Sequence, residues 1–207
     1  MPRPERTDHS TDPTKVTANK IVTIHVWDLF VRLFHWGLVL SFSVAWLSSR
    51  SWEQVHDWAG YAAAALVLSR AAWGVVGTRY SRFSQFVRSP RVVLNYLAAM
   101  ARGDEARHVG HNPAGGAMVV ALMLTIASTA STGWLLTTDA FWGVTWMQNF
   151  HHVLADGIWL LVCVHIAGVL LASFRHRENL AAAMIFGRKR AAEANAAASR
   201  SEVRGRS

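Results

Sequence analysis

Four long apolar stretches dominate the sequence, and each is long enough to cross a lipid bilayer as an α-helix. They cover about residues 28–47, 55–76, 113–136 and 152–174. A spanning helix needs about 20 mainly apolar residues, and a helix satisfies its own backbone hydrogen bonds in hydrocarbon. The sequence therefore predicts an all-α membrane protein built as a four-helix transmembrane bundle.

The positive charges indicate which ends of these helices face the cytoplasm. The formal net charge is +8, yet no lysine or arginine lies between His108 and Phe174, and the link between the first two spans has only Arg50. Apart from Arg32 and Arg70 inside the first two spans, the other basic residues lie in segment 77–112 and in both terminal segments. By the positive-inside rule, both termini and segment 77–112 are cytoplasmic. This distribution indicates membrane topology and argues against nucleic-acid binding.

The segments outside the spans are polar. Residues 1–20 lack the apolar core of a signal peptide and are predicted to be disordered, as is the basic tail over residues 188–207. The helical domain is then expected over residues 21–187. Inside the cytoplasmic segment, an amphipathic stretch that starts at Pro90 and stops at Gly103 predicts a short helix at the membrane surface.

Cysteine chemistry is limited by the presence of a single cysteine, Cys163. One cysteine excludes an internal disulfide, a four-cysteine metal site and the covalent attachment motif of c-type haem. A haem would therefore be bound non-covalently. The ten histidines are the candidate ligands.

Four of these histidines form two pairs at matched depth in the predicted topology. His56 and His151 lie toward the outer side and are called the outer pair; His35 and His165 lie toward the cytoplasm and are called the inner pair. His151 and His165 are fourteen residues apart, which places them about 21 Å apart along one helix and within about 40° of one face. Neutral imidazoles on facing helices suit axial ligation, so the pairs predict two haems stacked across the bilayer.

Other uses of these histidines stay open at this point. Each could hydrogen-bond to backbone, and zinc or iron transport would use the same residue type. Transport sites usually bring carboxylates into the spans, whereas here the nearby acidic residues lie at helix ends: Asp28, Asp57 and Asp156. His152 is an alternative to its neighbour His151 as the outer ligand, although helical phase favours His151.

Three further residues are candidates for contacts with a haem propionate or a quinone. Arg70 lies fourteen residues after His56, at the depth of the inner pair, and an arginine inside the membrane needs an anionic partner. Arg32 lies one turn before His35, and His111 precedes the third span. The alternatives are snorkelling of the two arginines to the inner headgroups and a simple capping role for His111.

Several segments together resemble the bacterial cytochrome b561 family, which includes the b-type cytochrome subunits of nickel–iron hydrogenases. They are VWDLFVRLFHW, VHDWAGY with SRAAWGVVG, RFSQFV, GHNPAGGAM, the paired histidines of the fourth span and HRENLAAAMIFGRKR. The resemblance covers about residues 24–190. It implies a four-helix bundle with two b haems, and the family's bis-histidine ligands fall on His35, His56, His151 and His165.

This resemblance implies an electron-transfer subunit, rather than a stand-alone enzyme, in the bacterial cytoplasmic membrane. Electrons would pass between the quinone pool and a redox protein at the outer face, such as a hydrogenase, a c-type cytochrome or a molybdenum oxidoreductase. A stand-alone superoxide:quinone oxidoreductase is the main alternative, and a non-redox metal-binding membrane protein is a second. Membrane lipid is an expected partner, and assembly as a homodimer stays open.

Overall fold

The computed structural model describes residues 23–25, 27–78, 81–104, 112–176 and 179–190. Residues 1–20, most of the expected basic tail and His111 lie outside them. The described elements, in chain order, are β1 Thr23–His25, α1 Leu29–Ser48, α2 Glu53–Val76, α3 Phe83–Phe86, α4 Pro90–Arg102, α5 Pro113–Leu136, α6 Thr145–His176, α7 Leu180–Phe186 and β2 Arg188–Arg190.

Four of the described helices, α1, α2, α5 and α6, are long and apolar enough to cross a membrane, so the chain is a multi-pass membrane protein. The start of α5 follows from local chemistry: Asn112 accepts a hydrogen bond from the Gly115 N–H at 2.6 Å, and Pro113 occupies the first turn. Helix α6 begins at Thr145 and not near His152 as expected. Hydropathy marks the apolar core of a span, whereas the helix itself continues into the interface through Gln148 and Asn149.

The four spans pack in sequence order, each on the next one, and this leaves a gap between α6 and the pair α1 and α2. Helices α1 and α2 pack closely along each other, α2 packs on α5, and α5 packs on α6. In the described part of the chain, the backbone of α6 does not run close to α1 or α2 over any length. Aromatic side chains bridge the gap, with Trp159 of α6 next to Phe42 and Trp46 of α1. Such a gap between facing helices is where bundles hold cofactors.

A small apolar core closes the middle of the bundle. It contains Ala63 and Val67 from α2, Met123 and Ile126 from α5, and Ile158 from α6, each at most 9% exposed. Ile158 lies seven residues from both His151 and His165. The core therefore separates the two ends of the bundle at which the histidine pairs lie.

The two ends of the helical domain meet on one side of the bundle. Strand β1, which precedes α1, pairs antiparallel with β2, which follows α7, and His25 is opposite Arg188. Arg188–Arg190 were expected in the disordered tail and form this strand instead, because the backbone of residues 23–25 offers them ladder hydrogen bonds. The pairing adds two short strands to the expected all-α fold. It also places both ends of the domain on one face, as an even number of spans requires.

Candidate cofactor site

The outer pair lies between α2 and α6. The imidazole centroids of His56 and His151 are 6.1 Å apart. His56 Nδ1 is 2.8 Å from the carbonyl oxygen of Ala45 in α1. Since a carbonyl oxygen only accepts, Nδ1 carries the proton and donates it, which leaves the lone pair of His56 on Nε2.

His151 is oriented in the same way by α5. Its Nδ1 is 3.0 Å from the hydroxyl oxygen of Thr132, and that hydroxyl donates its own proton to the Thr129 carbonyl at 2.9 Å. The Thr132 oxygen therefore accepts from Nδ1–H of His151, and the lone pair of His151 is also on Nε2. Gly133 lets the ring lie close, because a Cβ at this position would be 3.2 Å from Cε1 of His151.

The inner pair bridges α1 and α6 in a similar arrangement. The centroids of His35 and His165 are 6.4 Å apart. His35 Nδ1 is buried and has no hydrogen-bond partner among the described residues. A buried polar nitrogen without a partner is costly, so the Nδ1 of His35 is suited to contact with another group.

The spacing of both pairs fits one metal ion between each two rings. A first-row metal bonds an imidazole nitrogen at about 2.0 Å, and that nitrogen lies about 1.1 Å from the ring centroid, so two opposed ligating rings have centroids about 6 Å apart. The separations of 6.1 and 6.4 Å agree with this value. Two histidine nitrogens would complete a six-coordinate haem iron, because the porphyrin supplies the other four ligands.

A cavity of about 440 Å³ adjoins the outer pair. This volume lies in the range of about 300–1,000 Å³ that small-molecule and cofactor sites have. Its walls are mainly apolar or small residues from all four spans, with polar groups toward the mouth, among them Arg50, Asp57 and Asp156. His152 also lines the cavity but is exposed, and its ring centroid is 6.2 Å from that of His151.

Arg70 is deeply buried beside the inner end of the bundle, at 2% exposure. Its Nη2 donates to the Ser81 carbonyl at 3.0 Å, and its guanidinium lies over the rings of Phe83 and Phe86 at 5.2 and 5.9 Å. Its Nη1 is buried and has no partner among the described residues. This burial argues against simple snorkelling to the headgroups and leaves one donor available for an anion.

Arg32 lies one turn before His35 on α1 and has a similar free donor. One of its terminal nitrogens donates to the carbonyl of Ile185 in α7, whereas its Nε is buried without a partner among the described residues. Three buried nitrogens thus lack a hydrogen-bond partner in the described structure, on Arg32, His35 and Arg70, and all three belong to the inner half of the bundle. His111, the remaining candidate at this end, lies outside the described residues.

Asp28 ties the start of α1 to the end of α2. Its Oδ1 accepts from the Val31 N–H at 2.8 Å, and its Oδ2 accepts from the Thr78 hydroxyl and from the Trp73 indole at 2.6 and 3.1 Å. Burial by itself raises the pKa of Asp28, but these hydrogen bonds and the nearby charge of Arg70 outweigh it, so the pKa lies below its ordinary value.

Replacement of the Asp28 carboxylate should weaken the contact between the start of α1 and the end of α2. Asp28→Asn keeps the helix cap through its Oδ1, but its NH₂ can accept from neither Trp73 nor Thr78, so we expect a loss of about 1–3 kcal/mol at neutral pH. Because the folded pKa is lowered, the stabilisation by Asp28 is present above the unfolded pKa and is lost as pH falls through the folded pKa. In thermal unfolding, the difference in midpoint temperature between the unmodified protein and Asp28→Asn should become smaller toward low pH. An equal difference at every pH would contradict this explanation.

The sequence predicted which histidines face each other but not what orients them. The partners of the outer rings, Ala45 and Thr132, carry no distinguishing signal, because one contributes only its carbonyl and the other is one of several small polar residues in α5. Gly133 had a weak signal in the small-residue content of that span, which lets a flat group approach. The role of Asp28 had a clear sequence signal, since an aspartate directly before an apolar helix is a typical N-cap.

Comparisons with known proteins identify the family. A search of curated proteins and a search of solved structures each found no match. A family model described as prokaryotic cytochrome b561 matches residues 26–187, which include both histidine pairs and α1 to α7. Because this match covers well over half of the sequence, the chain belongs to the prokaryotic cytochrome b561 family.

Proposed function

We propose that this membrane b-type cytochrome holds two haems b and carries electrons between a redox partner at its outer face and the quinone pool. His56 and His151 ligate one haem, and His35 and His165 ligate the other. The observation that carries the proposal is the near-equal spacing of the two pairs, 6.1 and 6.4 Å between ring centroids, at two depths of one bundle. The membrane is the bacterial cytoplasmic membrane, in keeping with a prokaryotic family.

When bound, haem supplies reversible one-electron chemistry at each pair. Each histidine pair would hold its haem iron from both sides, which would leave no open position for oxygen. The carbonyl of Ala45 and the hydroxyl of Thr132 hold the outer rings in one tautomer and orientation, and such hydrogen bonds raise the basicity of a ligating nitrogen. These contacts would favour the oxidised state of a haem held by the outer pair and so lower its potential.

The path across the membrane follows α6. His151 and His165 are fourteen residues apart, or about 21 Å along the helix axis. The apolar layer that includes Ile158 and Val67 lies between them and keeps water away from the middle of the bundle. This arrangement supports transfer from one face toward the other, and neither pair alone would reach both sides.

The orientation is N-in and C-in. The paired strands β1 and β2 lie on one side of the bundle with the arginine-rich segment between α2 and α5, and the opposite links have only Arg50. The positive-inside rule then assigns the first side to the cytoplasm. There, Arg32 and Arg70 each have a buried donor for a haem propionate or a quinone, and His111 joins them as a third candidate.

Two alternatives are less well supported. Zinc sites use three or four protein ligands, and no group of three or more histidine, cysteine, aspartate or glutamate side chains converges in the described ranges. Superoxide oxidation needs a surface that attracts an anion. Around the outer cavity and its flanking links, however, the acidic residues Glu53, Asp57, Asp139 and Asp156 outnumber the one cation, Arg50.

Haem content and spectra test the proposal directly. The purified chain should contain two haems b per polypeptide in a pyridine haemochrome assay, because each pair has two ligating imidazoles. Reduced-minus-oxidised spectra should be those of low-spin, six-coordinate haem. Addition of carbon monoxide to the reduced protein should leave these spectra unchanged, since neither iron has an open position.

Three other outcomes of these measurements would contradict the proposal in part or as a whole. One haem per chain would show that one pair is not a ligand pair. A spectral change with carbon monoxide would show that a histidine is absent or displaced at one iron. A protein without haem, expressed in cells that load other b-type cytochromes, would overturn the ligand assignment as a whole.

A further inference from the structure

Helix α4 lies beside the bundle and is too short to cross a membrane. Its thirteen residues extend about 20 Å, against about 30 Å for the hydrocarbon core. It begins with Pro90 in the first turn and ends at Gly103, whose φ of 80° is left-handed. Its side chains divide into three faces, and each face has a different chemistry.

The first face packs on the protein. Tyr96 is 8% exposed, and Val93, Ala99 and Met100 are partly buried on the same side of the helix. Helix α4 packs on α5, and Arg175, in the last turn of α6, donates to the Met100 carbonyl at 2.6 Å. These contacts fix α4 at the level at which the spans α5 and α6 reach the membrane surface.

The second face is apolar and exposed. Leu94 is 65% exposed and Leu97 is 39% exposed, and the two are about 60° apart around the helix. Ala101 lies within about 20° of Leu94. Leu124 on the neighbouring span α5 is similarly exposed, at 64%. Exposed leucines on a helix beside membrane spans are suited to insertion into hydrocarbon.

The third face is cationic and lies between the other two. Arg91 and Arg102 are within about 20° of each other, and Asn95 is beside them. Arg102 approaches Asp104 at 3.9 Å, but both side chains are more than 60% exposed, and exposed pairs of this kind bind weakly. Positive charge next to a membrane-inserted apolar face is complementary to anionic headgroups.

We propose that α4 is a membrane-surface anchor that binds the headgroups of anionic phospholipids through Arg91 and Arg102 while Leu94 and Leu97 enter the acyl chains. The three faces leave one orientation that suits all of them: Tyr96 toward the bundle, the leucines down into the bilayer, and the arginines at headgroup level. This role is independent of haem binding, because α4 contributes none of the four histidines.

The depth of α4 can be measured with spin labels on the full holoprotein in nanodiscs. In a Cys163→Ser background, Leu94→Cys and Asn95→Cys place labels on adjacent residues that belong to different faces. The label at residue 94 should be relaxed by oxygen, which partitions into lipid, and the label at residue 95 by a water-soluble nickel chelate. Equal exposure of both labels to the nickel chelate would overturn the insertion. Protection of residue 94 from both reagents would show that protein, not lipid, covers this face.

The headgroup preference needs a second measurement. Holoprotein released from nanodiscs that contain phosphatidylglycerol and phosphatidylcholine should retain phosphatidylglycerol preferentially in native mass spectrometry. The double variant Arg91→Gln/Arg102→Gln should reduce this preference by about fivefold for each arginine removed. The matched variant Arg91→Lys/Arg102→Lys keeps both charges and should retain most of it. An unchanged preference in the glutamine variant would overturn the assignment of the lipid site to α4.

Discussion

His151→Ala is expected to leave one haem per chain in place of two, whereas His152→Ala keeps both. The ring of His151 faces His56 with 6.1 Å between centroids, and its Nδ1 is hydrogen-bonded to Thr132, so Nε2 is directed away from that contact as a ligand. His152 is the next residue on the helix, turned by about 100°, and its side chain is exposed. Helical phase therefore favours His151 over His152 as the outer ligand.

The measurement is a haemochrome assay on the two variants, paired with difference spectra to identify which haem is lost. Residual binding through His56 alone would appear as a high-spin, five-coordinate component, and added imidazole should restore the low-spin spectrum in His151→Ala. His152→Ala controls for disturbance of this end of α6, because it removes the same side-chain volume at the adjacent position. Loss of one haem in His152→Ala with two retained in His151→Ala would reverse the assignment.

The apolar composition of the four segments was enough to predict the four spans. A spanning helix must be apolar for about 20 residues, so its local composition alone predicts it. The third span was predicted at Pro113–Leu136, and the structure has a helix with these bounds. The start of α6 was not predicted, because Thr145 to Phe150 are outside the apolar core and nothing in their composition distinguishes a helix from a link. Helix ends in the interface depend on tertiary contacts more than on hydropathy.

The pairing of β1 with β2 could not be predicted from the local sequence. Each strand is three residues long, and the two are separated by the whole helical domain. Their pairing depends on the closure of four spans, and a basic tripeptide such as Arg188–Arg190 resembles a solvated tail. Long-range pairing of this kind has no local signature.

The facing of the two histidine pairs was predictable from the sequence, and the contacts that support them were not. Depth follows from topology, so two pairs could be matched from the positions of His35, His56, His151 and His165 alone. The buried contacts of Arg70 are different, because Ser81, Phe83 and Phe86 follow it after the helix end and fold back onto it. The sequence showed an arginine at the right depth but not which donor remains free.

Arg70→Leu is expected to lower both the stability of the protein and the midpoint potential of the inner haem. The guanidinium donates a charge-assisted hydrogen bond to Ser81 and lies over Phe83 and Phe86, so its loss should cost about 2–4 kcal/mol. Its positive charge also favours the reduced state of a redox centre nearby. Removal of one buried charge at this end should lower the inner potential by tens of millivolts, with little effect on the outer pair.

Arg70→Lys separates the two effects because it keeps the charge and removes the planar fork. An ammonium can replace neither the pair of directed donors nor the stacking on two rings, so the thermal midpoint should fall in this variant as well. The inner potential, measured by spectroelectrochemical titration of the two haems, should stay near that of the unmodified protein. If Arg70→Leu lowered stability and left both potentials unchanged, the free Nη1 would not be directed at the inner site, and Arg70 would only hold the segment from Ser81 to Phe86 against the bundle. A lowered inner potential in Arg70→Leu, restored by lysine, would instead tie the buried charge to the redox centre, since lysine keeps the charge but not the packing on Phe83 and Phe86.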